Sequence, residues 1–194
     1  MSSSIRPTFP SSTTGGKNDR RGAVTNIKPG YVGFAHSHGV MARLIRIGTD
    51  GEWNHQFVIS DEVDTDGHPL IIQATFEGVT GDARLDSVSP GGHYCVVRPP
   101  SFVRLDDVVR FAKSQVGDPY GVGTDVSIAM DIVTPPWFPS FRSSSKSSWE
   151  CAAVANESLR FGGWYHNWPD IYHLTPQQGY DALMADGGVV ESTV

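Results

Sequence analysis

From residue 30 to residue 97, short apolar runs alternate with clusters of turn-forming residues, the pattern of a small antiparallel sheet. Residues 31–35 and 41–47 are the first two runs, separated by His36-Ser37-His38-Gly39. Residues 53–60 and 70–75 are the next two. Between them Asp64-Thr65-Asp66-Gly67 signals a turn, because Asp bonds its own backbone and Gly accepts positive φ. Residues 93–98 read as a further strand, bracketed by Pro90-Gly91-Gly92 and Pro99-Pro100. The period then lengthens over 102–116, where Val103, Val108, Val109, Phe111, Ala112 and Val116 fall on one helical stripe. Ser101 is the expected N-cap of that helix and Gly117 its stop. Residues 125–133 read as a second apolar helix, 134–148 as a long Pro- and Ser-rich loop, and 149–161 as a helix stopped by Gly162-Gly163. Trp164, Tyr165, Trp168, Tyr172 and Pro176 make the tail too aromatic to stand in water, so it is expected to pack on the domain.

Strands first and helices last predict an α+β fold, with a small antiparallel sheet packed on helices. Residues 1–22 are polar and rich in Ser, Thr and Gly, and read as a flexible N-terminal arm. Residues 23–194 read as a single domain. Composition agrees: 39% hydrophobic residues with 21 glycines suits a globular chain, and 19% charged residues excludes a coiled coil or a highly charged disordered one. With 15 Lys+Arg against 21 Asp+Glu the net charge is −6, which argues against nucleic acid as a partner. No run of about 18 apolar residues is present. The expectation is therefore no membrane partner and synthesis in the cytoplasm, with final location and oligomeric state left open.

Two cysteines do not make a disulfide framework. Cys95 sits in the middle of the apolar strand His93-Tyr94-Cys95-Val96-Val97 and reads as a strand filler. Cys151 opens the helix Ala152-Ala153-Val154-Ala155, where unpaired amides and the positive end of the macrodipole favour a thiolate. Two readings fit it: a small core residue beside alanines, or a nucleophile. A thiolate nucleophile needs a base, and His55 is the candidate, sharing one strand face with Phe57 and Ile59. A hairpin centred on Asp64 would set Gln73 directly opposite His55, where its amide could orient the imidazole. The other reading of Gln73 is a solvent-facing amide.

The ordered pieces resemble the NlpC-type papain-like cysteine peptidases, in their circularly permuted branch. Pro29-Gly30-Tyr31-Val32-Gly33-Phe34 resembles the opening strand, Asn54-His55-Gln56-Phe57-Val58-Ile59 the strand with the base histidine, and Ile71-Ile72-Gln73-Ala74 the following strand with its polar residue. Val96-Val97-Arg98-Pro99 is similar to the strand before the first helix, and Gly117-Asp118-Pro119-Tyr120-Gly121 to the G-x-P-Y element. Trp149-Glu150-Cys151-Ala152-Ala153-Val154 takes the place of the nucleophile helix, and Leu174-Thr175-Pro176 that of the late Thr-Pro element. The resemblance implies a papain-like fold with the nucleophile helix towards the C-terminus. It implies Cys151 as nucleophile, His55 as base, Gln73 as orienting residue and Tyr120 as a helper at the oxyanion, with no cofactor. Tyr31 replaces the usual Asp of the opening strand, and Ala152 the frequent Ser after the nucleophile. An insertion over 135–148 precedes the nucleophile.

The function so implied is hydrolysis of an amide or ester through a thioester acyl-enzyme, foremost as a peptidase or amidase on cell-wall-type peptide. A thiol acyltransferase or lipid esterase of the same fold is the alternative enzyme class. A noncatalytic binding or virion module retaining the fold is the third reading. Peptide or acyl groups are the expected partners. His36-Ser37-His38 puts two imidazoles on one strand face, but no H-E-x-x-H or paired-Cys motif accompanies it, and no metal is expected. The acidic rhythm over 62–73 ends in Gln73 where a calcium loop needs a bidentate Glu, and Pro69 interrupts it.

Overall fold

A computed structural model describes residues 26–38, 51–75, 77–90, 93–119, 151–165 and 174–193. Among them are β1 (Val32–His36), β2 (His55–Val63), β3 (Pro69–Thr75), β4 (Gly78–Arg84) and β5 (His93–Arg98). These are followed by α1 (Leu105–Ser114), α2 (Cys151–Phe161), α3 (Pro176–Ala185) and β6 (Val189–Thr193). The strands join in one sheet of order β4-β3-β2-β1-β5-β6, antiparallel throughout. The architecture is α+β, as the run of strands before helices predicts.

Strand alternation sorts the apolar side chains into two layers. Val32, Phe34, Val58, Ile72, Cys95 and Val97 meet Val108 and Ala112 of α1, Val154, Ala155 and Leu159 of α2, and Leu183 of α3. Tyr31, Ala35, Phe57, Ile59, Ile71, Tyr94 and Val96 form the layer on the other face, joined by Leu85. Each fully buried Val, Leu, Ile or Phe contributes about 1.5–3 kcal/mol, so both faces hold the sheet in place. Gly33 lies across from Phe57, and a Cβ there would come within 1.9 Å of the Phe57 ring. The ring therefore rests on bare backbone, a close approach that only glycine permits.

Several boundaries differ from the sequence reading. The first strand starts one residue later than expected, at Val32, and the run over 41–47 lies outside the described residues. Helix α1 is shorter than 102–116, because Val103 N donates to Pro100 O at 2.9 Å and closes a turn before the helix begins. Its N-cap residue is Arg104 rather than Ser101 and makes no side-chain cap. Asp106 and Asp107 in the first turn supply the negative charge favoured there. The expected helix over 125–133, the loop over 134–148 and the arm over 1–22 also lie outside the described residues.

Three elements carry no strong periodic signal. β4 is GVTGDAR, with few apolar side chains, and gains its order from pairing along β3. Within the aromatic tail, α3 starts at a capping box: Gln178 N donates to Thr175 Oγ1 at 3.2 Å, and Thr175 N donates to Gln178 Oε1 at 3.0 Å. β6 then pairs with β5. Gly162 and Gly163 end α2 as expected, Gly163 at φ 101°. Among the described residues no helix is long and apolar enough to cross a membrane.

Candidate active site

His55 is the first residue of β2 and lies across from Ala35 of β1. It alternates with Phe57 and Ile59 on one face, its ring 6.2 Å from that of Phe57. Gln73, on β3, meets it: the His55 Nε2 to Gln73 Oε1 distance is 2.7 Å. The pair forms by a different register from the expected one. β2 and β3 align Val58 with Ile72 and Ile59 with Ile71, and a bulge separates these from Val63 opposite Pro69. Continuing the regular register puts Gln73 across from Phe57, two residues along from His55. A shift of two residues keeps both side chains on one face, so a diagonal contact replaces direct opposition.

The amide oxygen accepts, so Nε2 carries the hydrogen and the neutral ring has its lone pair on Nδ1. Burial pushes the His55 pKa below the ordinary histidine value, and the hydrogen bond to Gln73 opposes this in part. The result is an imidazole biased toward the neutral, proton-accepting form.

The start of β2 is held from two sides. Asn54, buried, accepts from Ser37 N at 3.0 Å and donates to Ser37 O at 3.1 Å, while Asn54 N donates to Ala35 O at 3.1 Å. From α3, Gln177 Oε1 accepts from the backbone N–H of Glu52 at 2.8 Å and of Trp53 at 3.2 Å. The residue after His55, Gln56, points to the helical layer, where its Nε2 donates to Asn156 Oδ1 of α2 at 3.1 Å. Sequence reasoning missed Asn54, Gln56 and Asn156. Their only signal is an amide interrupting an otherwise apolar stretch.

Cys151 is the first residue of α2 and is partly exposed, while the eight residues that follow it in α2 are buried. α2 packs against β2 and β3, the two strands that bear His55 and Gln73. Cys95 is buried in the helical layer, and burial pushes its pKa up to about 12. That is a filler thiol, as the strand pattern suggests. Tyr120 lies outside the described residues.

The histidines of the 36–38 segment form an aromatic cluster. The rings of His36 and His93 stack at 4.7 Å, those of His36 and His38 lie 5.8 Å apart, and His93 Nε2 is 2.8 Å from Glu52 Oε1. Among the described residues no group of three or more His, Cys, Asp or Glu is disposed to hold a metal ion.

No family model matches the chain, and no curated protein matches it by sequence. Among solved structures, it is similar to the metalloprotein yiiX of Escherichia coli O157:H7, DUF1105, with a TM-score of 0.50 and 15% identity. The match covers 86% of this chain and 97% of that one. At that identity the likeness is one of fold alone.

Proposed function

We propose that this protein is a cysteine hydrolase of papain-like, NlpC-type design that cleaves an amide bond in cell-wall-type peptide through a thioester acyl-enzyme. The observation that carries the reading is the 2.7 Å contact of His55 Nε2 with Gln73 Oε1, which supplies an oriented imidazole with its lone pair on Nδ1. Its burial keeps it neutral, as a base requires.

In this mechanism Nδ1 takes the Cys151 proton, and the thiolate attacks the carbonyl carbon of the substrate. Backbone amides in the first turn of α2, unpaired within the helix, face the developing oxyanion, aided by Tyr120. The imidazolium then returns its proton to the leaving amine as the C–N bond breaks. Water, deprotonated by His55, attacks the thioester and releases the acid, and the thiol is reprotonated. Because α2 packs in the layer of Val58 and Ile72 and His55 stands on the Phe57 side, this mechanism requires the Cys151 thiol to meet His55 past the start of β2 and not through the sheet.

Incubation with a peptidoglycan stem peptide, followed by mass spectrometry, tests the proposal. The intact chain should release a new amine terminus, and Cys151→Ala should release none while keeping its thermal unfolding midpoint. Equal cleavage by Cys151→Ala would refute the thiol mechanism.

A further inference from the structure

Gln56 follows His55 on β2, and Asn156 lies five residues after Cys151 on α2, so their hydrogen bond joins the strand of the base to the helix of the thiol. Both side chains are fully buried. Gln56 Nε2 donates to Asn156 Oδ1, while Gln56 Oε1 and Asn156 Nδ2 have no partner among the described residues. α3 closes over the pair at Gly179, where a Cβ would come 3.0 Å from Gln56 Oε1 and 3.2 Å from Asn156 Oδ1. A buried amide pair with half of its bonds unmet is less stabilising than apolar side chains of the same shape. The best-attested use of such a pair is to fix the register of the elements it joins.

α2 runs away from the His55 end of the sheet. Its C-terminal end meets the lead-in to α1: Arg104 N donates to Gly162 O at 2.8 Å, and a Cβ on Gly162 would come 2.6 Å from the Val108 side chain. α1 in turn starts beside Gly30, just ahead of β1, where a Cβ would come 2.7 Å from Leu105 O. His55 stands at the other end of β1, across from Ala35. Cys151 is therefore at the His55 end, about 7.5 Å along the helix axis before Asn156. The buried residues of α2 include Ala152, Ala153 and Ala155, whose short side chains offer little relief against sliding or turning. Apolar packing is non-directional, whereas a hydrogen bond weakens steeply as its angle opens.

We propose that Gln56 and Asn156 are positioning residues: their bond fixes the axial position and rotation of α2 on β2, and so sets how far the Cys151 thiol reaches past the start of β2 towards His55. The inference rests on the thiol chemistry proposed above and adds to it the device that holds nucleophile and base at their working separation. Neither amide touches the reacting atoms.

The test compares the full chain with two variants. Gln56→Leu/Asn156→Leu replaces both amides by apolar side chains, and Gly179→Ala keeps both amides but presses a methyl group onto them. The double variant should keep or raise the urea midpoint, since no buried polar group is left unpaired at the pair. Its kcat on stem peptide should nevertheless fall about 10- to 100-fold with KM within about twofold, because a misplacement of about 1 Å costs about 100-fold. The His55-dependent inflection in the alkylation of Cys151 by iodoacetamide should flatten in the same variant. Gly179→Ala, which favours the helix, should lower kcat about threefold or more. A parent without an inflection that His55→Ala removes would refute the thiol chemistry itself. A parent with that inflection, and a double variant that retains both it and kcat, would overturn the clamp alone. So would a lowered midpoint with unchanged kcat, which assigns the pair to folding. Should the double variant not fold, kcat of Gly179→Ala decides: a fall supports the clamp, and no change overturns it.

Discussion

Gln73 Oε1 meets His55 on its Nε2 side, so in the proposed reaction Gln73 acts through the orientation and tautomer of the imidazole. Gln73→Leu removes the acceptor while keeping an apolar body of similar reach. In that variant the imidazole can rotate and either nitrogen can hold the proton. Hydrolysis should fall about 10- to 100-fold, the usual cost of losing such a partner. The hydrogen bond also holds the His55 pKa up against burial, so its loss should move the acid limb of the pH–rate profile further down. A fall in rate with an unmoved limb would mean that Gln73 does not bond the working base. The identity of both residues was legible from the strand pattern. Their mutual register was not, since Val63 pairs with Pro69 and the turn therefore centres on Asp66 and not Asp64, an offset that the bulge between Ile59 and Val63 only partly recovers.

The elements that frame the site differ in how plainly the sequence announces them. β2, β3 and β5 combine alternation with turn residues at both ends, and they form close to the expected bounds. β4 and β6 do not, because each is ordered by the strand beside it and not by its own apolar content. α3 is announced only by Thr175-Pro176 and Gln178, a capping box inside a tail whose aromatic residues suggest packing without specifying a helix. That helix carries Gln177, which clamps the lead-in to His55. Thr175→Ala removes the acceptor for Gln178 N and should cost about 1 kcal/mol, read as a lower urea midpoint with unchanged slope. An unchanged midpoint would show that the α3 start does not depend on its cap.

Across the whole molecule, the two cysteines have been separated by environment: Cys95 inside the helical layer, Cys151 at the start of a helix that lies over the strands of the His55–Gln73 pair. The α+β class followed from the order of strand and helix periods. The close packing of Phe57 on Gly33 and the buried Gln56–Asn156 bond did not, since both are contacts between segments distant in sequence.

The most direct measurement is the rate of alkylation by iodoacetamide at each cysteine of the folded chain, followed by peptide mass spectrometry across pH. With a pKa of about 12, Cys95 is thiolate in only about one part in 10⁵ at neutral pH, and it is buried as well, so it serves as an internal standard. Cys151 should react at least about tenfold faster than Cys95. Its rate should hold as pH falls to the ordinary histidine value of 6.5 and drop only below it, because burial depresses the His55 pKa, and His55→Ala should abolish that inflection. A Cys151 that reacts no faster than Cys95, with no inflection for His55→Ala to remove, would contradict the account.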